Sequence, residues 1–303
     1  MTYQFHPSSG SALADRVVVL TGGALGVGAS LVRLLHASGA HVFFGDVLDE
    51  PGSALAQELS ANSKTHVKYI HCDVTSYDQN LALFDEALKT CGRIDHAVAN
   101  AGLGEQGRTF DPEMTLESVR EEPKKAMNVV DVCLKGPLYF GNIASVYLRQ
   151  GEGGSDRSLT LVSSVAGFRE DPGLNVYVPA KHGVLGMMRV LREHLIQPPF
   201  KIRTNAISPW MTKTRLTANL DATWEKAGLP ANTAEDVAKV ILGVMADGKV
   251  NGGTMYIEGG RAWNVEAGLM ALKPQWIGEK QNSDLDKGTT LMGGGEHWTE
   301  GKR

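Results

Sequence analysis

Short apolar runs alternate along the chain with stretches whose apolar residues recur every three to four positions. The runs at 16–20, 41–45, 66–71 and 94–99 are continuous and too short for helices, so they read as buried strands. Between them, 27–37, 51–61 and 79–90 are amphipathic at helical spacing. Pro123, directly after Glu121 and Glu122, marks a helix start: its missing N–H costs nothing in a first turn, and acidic groups suit the helix dipole there. That helix runs on through 127–134, and another follows at 137–148. Residues 159–163 give a fifth strand, 176–195 a long helix and 202–207 a sixth strand. Thr233 caps a helix over 234–245, with Glu235 and Asp236 in its first turn, and 254–257 is a seventh strand. This repeated strand–helix–strand order predicts an α/β fold: one doubly wound parallel sheet of seven strands with helices on both faces.

No internal repeat or linker interrupts the rhythm, which predicts a single domain over 15–260 between a polar arm (1–14) and a C-terminal extension (261–303). Within the domain, 209–232 is a long connection of weak periodicity, the kind that forms a lid or binding loop. The extension is rich in Gly, Trp and charge. It either stays disordered or docks through Trp263, Trp276 and Trp298, and three tryptophans favour docking.

Composition narrows the function classes. Of 303 residues, 42% are hydrophobic and 21% charged, as in ordinary globular proteins. A formal net charge of -4 offers no electrostatic reason for a nucleic-acid or anionic-membrane partner. No apolar run reaches membrane-spanning length and the arm lacks a signal-peptide core, so a cytoplasmic location is expected. Cys72, Cys91 and Cys133 stand singly, without a CxxC pair or Cys/His cluster in sequence; neither a metal nor a disulfide framework is expected.

The candidate chemistry lies at strand ends. Thr21-Gly-Gly-Ala-Leu-Gly-Val-Gly28 follows the first strand and opens the first helix. Small residues there let backbone amides and the helix dipole approach a pyrophosphate. Asp46 ends the second strand, where a carboxylate accepts from both ribose hydroxyls and repels a 2′-phosphate. Leu25 rather than a cation precedes Gly26, and Val47 follows Asp46, so NAD is expected over NADP. Asp73, after the third strand, reads either as a residue near an adenine edge or as a helix cap. Tyr177 and Lys181 are one helical turn apart, and Ser164 at the end of the fifth strand can meet both. A free tyrosine has a pKa of about 10, and a neighbouring ammonium favours phenolate, bringing the phenol toward a useful range for proton transfer.

In this order and spacing, the residues resemble the short-chain dehydrogenase/reductase family over about 16–260. The carriers are Thr21-Gly-X3-Gly-X-Gly28, Asp73, Asn100-Ala-Gly102, Ser164, Tyr177-X3-Lys181 and the stretch from Asn205 to Thr214. The resemblance implies a Rossmann fold. It makes Tyr177 the general acid/base, Lys181 its electrostatic partner and the holder of the nicotinamide ribose, and Ser164 the group that binds the substrate oxygen. Asn100 and Gly102 resemble the turn lining the cofactor cleft, and Thr214 the residue that reaches the carboxamide. The implied cofactor set is Gly22, Leu25, Gly26, Val27, Gly28, Asp46, Asp73, Val74, Asn100, Gly102, Tyr177, Lys181, Pro209, Met211 and Thr214.

Two departures stand out. Val132-Cys133-Leu134-Lys135-Gly136 carries a cysteine where the family usually has an asparagine that kinks the helix and positions a relay water. Either Cys133 packs and the water reroutes, or the reaction is altered. Trp210 follows Pro209 where the family has glycine; with Met211 and Phe168 it suggests a pocket for a bulky, ring-containing substrate, while Met187 and Met188 read as helix core. His182, Lys124, Lys125, Glu170 and Asp171 read as surface groups, and Arg169 as a possible partner for an acidic substrate group. The tail around Trp276 resembles extended fungal dehydrogenases of secondary metabolism.

The expected activity is NAD-dependent interconversion of a secondary alcohol and a ketone on a small molecule, by a homodimer or homotetramer. Imine reduction or cofactor-assisted cyclisation on an alkaloid-like scaffold is a rival that the retained Ser164 disfavours. A non-catalytic NAD sensor is the second rival, kept open by Cys133.

Overall fold

In a computed structural model, which describes residues 2–3, 12–61, 64–151 and 156–291, each of the seven predicted strands forms. The first half runs β1 (Thr2–Tyr3), β2 (Val17–Thr21), α1 (Gly26–Ala37), β3 (His41–Asp46), α2 (Asp49–Ser60), β4 (Val67–His71), α3 (Tyr77–Cys91) and β5 (His96–Ala99). Helix α4 (Lys124–Val130) passes through a π-helical turn at Asp131–Lys135 into α5 (Gly136–Tyr147), followed by β6 (Arg157–Val162), α6 (Tyr177–His194) and β7 (Ile202–Pro209). The long connection holds β8 (Thr212–Lys213), α7 (Asp221–Lys226) and β9 (Asn232–Thr233), and α8 (Ala234–Ala246) and β10 (Thr254–Glu258) follow. The predicted cap of α8 is a full capping box: Thr233 Oγ1 accepts from the Asp236 amide, and the Asp236 carboxylate accepts from the Thr233 amide.

Strands β4, β3, β2, β5, β6, β7 and β10 lie side by side in that order, all parallel. Central strands are buried on both faces, as the continuous apolar runs required. One core, from Leu20, Val32 and Phe44 to Ile241 and Met245, lies beneath α1 and α8. The other, from Phe43, Leu83 and Phe140 to Leu185 and Met188, lies beneath α3, α5 and α6. Strand order reverses between β2 and β5, and the crevice at their carboxyl ends is where parallel sheets of this type take ligands.

The sheet does not stop at seven strands. The predicted extension turns back as β11 (Arg261–Asn264), antiparallel to β10, and the polar arm adds β1 outside it, giving nine. The cause is Gly259-Gly260, both left-handed (φ 54° and 75°), which makes the two-residue turn that a twisted hairpin needs. Helices α9 (Glu266–Ile277) and α10 (Glu279–Leu291) follow.

Docking of this segment differs from the expectation. Trp263 is half-buried and stacks on Tyr256 with ring centroids 5.7 Å apart, but Trp276 is 68% exposed on α9, and Trp298 lies outside the described residues. The anchor is instead Glu266, buried between Arg189, Arg192 and the Thr254 hydroxyl at 2.9–3.2 Å. Burial opposes its charge, yet the hydrogen bonds from Arg189 and Thr254 and the field of Arg192 win, holding the carboxyl below its ordinary value. Among the described residues no helix is long and apolar enough to cross a membrane.

Candidate active site

The turn after β2 carries the first cluster. Gly22 (φ 68°) and Gly26 (φ 55°) occupy left-handed conformations open to glycine. Gly28 has no room for a side chain: a Cβ there would stand 1.9 Å from the Gly22 carbonyl oxygen. The turn is therefore a tight backbone cradle pressed onto the start of α1. Gly28→Ala must push the turn open. Overpacking costs about 1–3 kcal/mol, so a dinucleotide should bind about tenfold more weakly or worse, measured by fluorescence titration.

Asn100 and Asp46 brace this cradle from two sides. Asn100 Nδ2 donates to the Thr21 and Gly22 carbonyls at 3.2 and 2.9 Å, while the amides of Asn100 and Ala101 donate to Thr21 Oγ1. Asp46 accepts the Ala24 amide on one carboxylate oxygen (3.0 Å) and the Leu48 amide on the other (3.1 Å). Asp73 accepts from the Thr75 amide, and Ser76 rather than Asp73 caps α3, so the helix-cap role considered for Asp73 falls to Ser76. Cys72 lies between these two carboxylates; burial first, then Asp73 and Asp46, push its thiol up to about 12 and leave it inert. Val74 is buried, its side chain filling the space beside Gly136.

The second cluster comes from β6 and α6. Lys181 is 3% exposed, and its ammonium donates to the Val162 carbonyl at 3.0 Å. An ammonium has three protons to give, so two remain for the cleft. Its Nζ lies 5.6 Å from the centre of the Tyr177 ring. Ser163 and Ser164 divide their labour. Ser163 is buried and donates to the Lys181 carbonyl, tying β6 to α6; half-buried Ser164 accepts from the Ala166 amide and keeps its own proton to donate. Gly102 joins the two clusters, since a Cβ on it would come within 3.6 Å of Lys181 Nζ and 3.8 Å of Cys133 Sγ.

At the first departure, Cys133 is packed. The helix is π-bulged at Asp131–Lys135 without an asparagine, and the Gly136 amide reaches the Asp131 carbonyl. The fully buried Cys133 thiol donates to the Leu103 carbonyl (3.4 Å) and accepts from the Leu103 amide (3.3 Å). It packs among Ala126, Val129, Val176 and Ala180 and clamps the loop after β5 to the bulge.

The second departure is placed differently from the expected pocket. Trp210 meets Trp224 edge-on at 5.1 Å, while Phe168 meets Tyr256 edge-on at 6.0 Å, so the two rings belong to separate aromatic pairs. Met211 is buried, Met187 packs against Gly141 of α5, and Met188 is core. Pro209 ends β7, and the chain beyond it folds back over the cleft. The Thr214 methyl is 3.5 Å from where a Gly26 Cβ would sit, and Leu216 is 3.3 Å from where a Gly104 Cβ would sit. This segment thus spans the turn after β2 and the loop after β5. His182 is exposed, its Nδ1 against the Val178 carbonyl; Arg169, Glu170, Lys124 and Lys125 are exposed too.

Sequence reasoning missed Glu105. From the loop after β5 its carboxylate accepts the Val176 amide (3.1 and 3.2 Å) and the Tyr177 amide (2.7 Å). The one signal was negative: Val176 at the start of α6 cannot cap it, so those amides needed a partner from elsewhere. The fold also gathers His41, His66 and Cys91 with donor atoms within 4.8 Å, at the opposite ends of the strands. His41 Nδ1 accepts the His66 amide, which leaves the ring proton on Nε2, facing Asp15. Neither nitrogen presents a lone pair to a metal.

The short chain dehydrogenase family pattern matches residues 16–225, from the start of the sheet through the segment over the cleft. The chain belongs to the short-chain dehydrogenases. It is 33% identical over 295 residues to the short-chain dehydrogenase/reductase prx4 of Penicillium roqueforti, covering 91% of this chain and 84% of that one. It is 28% identical over 256 residues to trans-4-hydroxycyclohexanecarboxylate dehydrogenase of Sinomonas cyclohexanicum, covering 82% and 93%. Among solved structures, a glucose/ribitol dehydrogenase-type member from Brucella melitensis superposes with a TM-score of 0.68 at 27% identity, covering 82% and 97%. The chain is therefore an oxidoreductase of a family that uses a nicotinamide cofactor, and the glycine cradle, too tight for any Cβ at Gly28, fits a pyrophosphate.

Proposed function

We propose that this dehydrogenase uses NAD to interconvert a secondary alcohol and a ketone on a bulky, ring-bearing small molecule. The observation that carries the reading is the buried Lys181 ammonium beside the Tyr177 ring, on a helix pinned by Ser163 to the strand that ends in Ser164. In the oxidative direction Tyr177 takes the substrate hydroxyl proton, and Ser164 donates a hydrogen bond to the same oxygen. Lys181 offers its two further protons to ribose hydroxyls and places a positive charge beside the phenol. Bound nicotinamide supplies the hydride acceptor. The retained Ser164 donor favours a carbonyl over an imine substrate, and the π-bulge kept by Cys133 favours an enzyme over a sensor.

NAD rather than NADP rests on Asp46. Each of its oxygens accepts one backbone amide and keeps a lone pair for a ribose hydroxyl, while Leu25 and Val47 present apolar, exposed side chains where a 2′-phosphate needs cations. Like-charge contact costs several kcal/mol, so kcat/KM should favour NAD by about a hundredfold or more. Asp46→Ser should narrow that preference to within about tenfold; a parent that prefers NADP refutes this part of the reading. The ring-bearing substrate draws on the relative whose name describes a ring hydroxyl. Turnover of cyclic secondary alcohols with NAD, followed by reduced-nicotinamide absorbance, tests it against cyclic imines. Assembly as a homodimer or homotetramer in the cytoplasm, with one domain over 15–260, completes the proposal.

A further inference from the structure

We propose that Glu105 is a positioning residue for the proton-transfer step: its carboxylate fixes the first turn of α6 and sets the field at Tyr177. The inference rests on the reading of Tyr177 as acid/base. Helix α6 has eighteen residues, its N-cap Val176 offers no side-chain oxygen, and Tyr177 is its first helical residue. The positive end of the helix dipole and the Lys181 ammonium thus both act on the Tyr177 side chain. Glu105 is the opposing charge, and it hydrogen-bonds the Tyr177 amide itself at 2.7 Å.

Its position in the chain gives this contact a second consequence. Residues 100–105 leave β5 in one short run tied at three points. Asn100 holds the glycine turn, Leu103 holds Cys133, and Glu105 holds the start of α6. Asn175 Nδ2 adds a bond to the Thr109 carbonyl on the same loop. The cradle for the cofactor and the helix carrying Tyr177 and Lys181 are therefore registered to one another through this loop, with Glu105 as its last tie. A neutral cap would serve the geometry as well; the carboxylate adds a negative charge beside the residue read as the acid/base.

Glu105→Gln keeps the shape and one acceptor oxygen while removing the charge. The test is tyrosinate absorbance against pH in the full chain with NAD bound, the Tyr177 contribution being isolated by subtracting Tyr177→Phe. In Glu105→Gln that contribution should move to lower pH by about half a unit, with the thermal midpoint unchanged. Glu105→Ala should move it in the same direction and also lower the turnover of cyclohexanol. A Glu105→Gln titration that superimposes on the parent, while Tyr177→Phe has lost turnover, overturns the role of Glu105 alone. Undiminished turnover in Tyr177→Phe overturns the proposed function and the role of Glu105 with it.

Discussion

Tyr177→Phe should remain folded, bind NAD as the parent does, and lose turnover of a cyclic secondary alcohol by a factor of roughly 10²–10⁴, the usual worth of a positioned acid/base. Folding should survive because the Tyr177 amide, not its hydroxyl, makes the structural contact, to Glu105. Cofactor binding should survive because its cradle is built from Gly22, Gly26 and Gly28, braced by Asn100 and Asp46, none of which touches the phenol oxygen. The loss should fall on kcat, since the missing group acts on a proton that moves only in the reaction. Lys181→Met should behave differently. It removes a buried cation that donates to Val162 and faces the cleft, so both cofactor affinity and turnover should drop. A Tyr177→Phe enzyme with parental kcat would mean that proton transfer runs through another group.

The parallel sheet was legible in the sequence because its strands are buried on both faces, so each is a short continuous apolar run that no helix could use. The glycine turn, Asp46 and the Tyr177–Lys181 pair were legible because each is local: a few adjacent residues at a strand end or one helical turn. What escaped was set by pairing over long separations or by a turn overlooked. Strand β11 was signalled by Gly259-Gly260, a two-residue hairpin turn read instead as the end of the domain. The arm at Thr2–Tyr3 has no strand pattern of its own and extends the sheet only because β11 offers an open edge.

The bulge at Cys133 shows another limit. Sequence registered the missing asparagine, but the thiol's two-way bond to Leu103, thirty residues away, exists only in the fold. Glu105, seventy-two residues before Tyr177, is the same case. The ring partners escaped for a related reason: Trp210 meets Trp224 and Phe168 meets Tyr256, partners that nothing in local spacing announces.

His96 should make the protein lose stability as pH falls from neutrality toward 4, well before its carboxylates are protonated. The side chain is buried at the start of β5 and its Nδ1 meets Ser158 Oγ at 2.9 Å. Burial is the main cause that lowers its pKa from 6.5 to about 4; Asp156 and Asp95 pull it up, while Arg203 and Arg16 push it down. The folded ring therefore stays neutral where the unfolded ring is already protonated. Between about pH 6.5 and 4 the unfolded state binds the extra proton, so stability rises with pH through that window. The contribution is fully present above the unfolded value and gone below the folded one. At pH 5 the loss is about 2 kcal/mol, approaching roughly 3 kcal/mol near pH 4. Urea unfolding of the parent and of His96→Gln at pH 7, 6 and 5 measures it: the parent's stability should slope downward and the variant's should be nearly flat. Carboxylates held below their ordinary values, such as Glu266, act at lower pH and affect both proteins alike. Equal slopes for parent and variant across this window would show that the buried imidazole is not what titrates there.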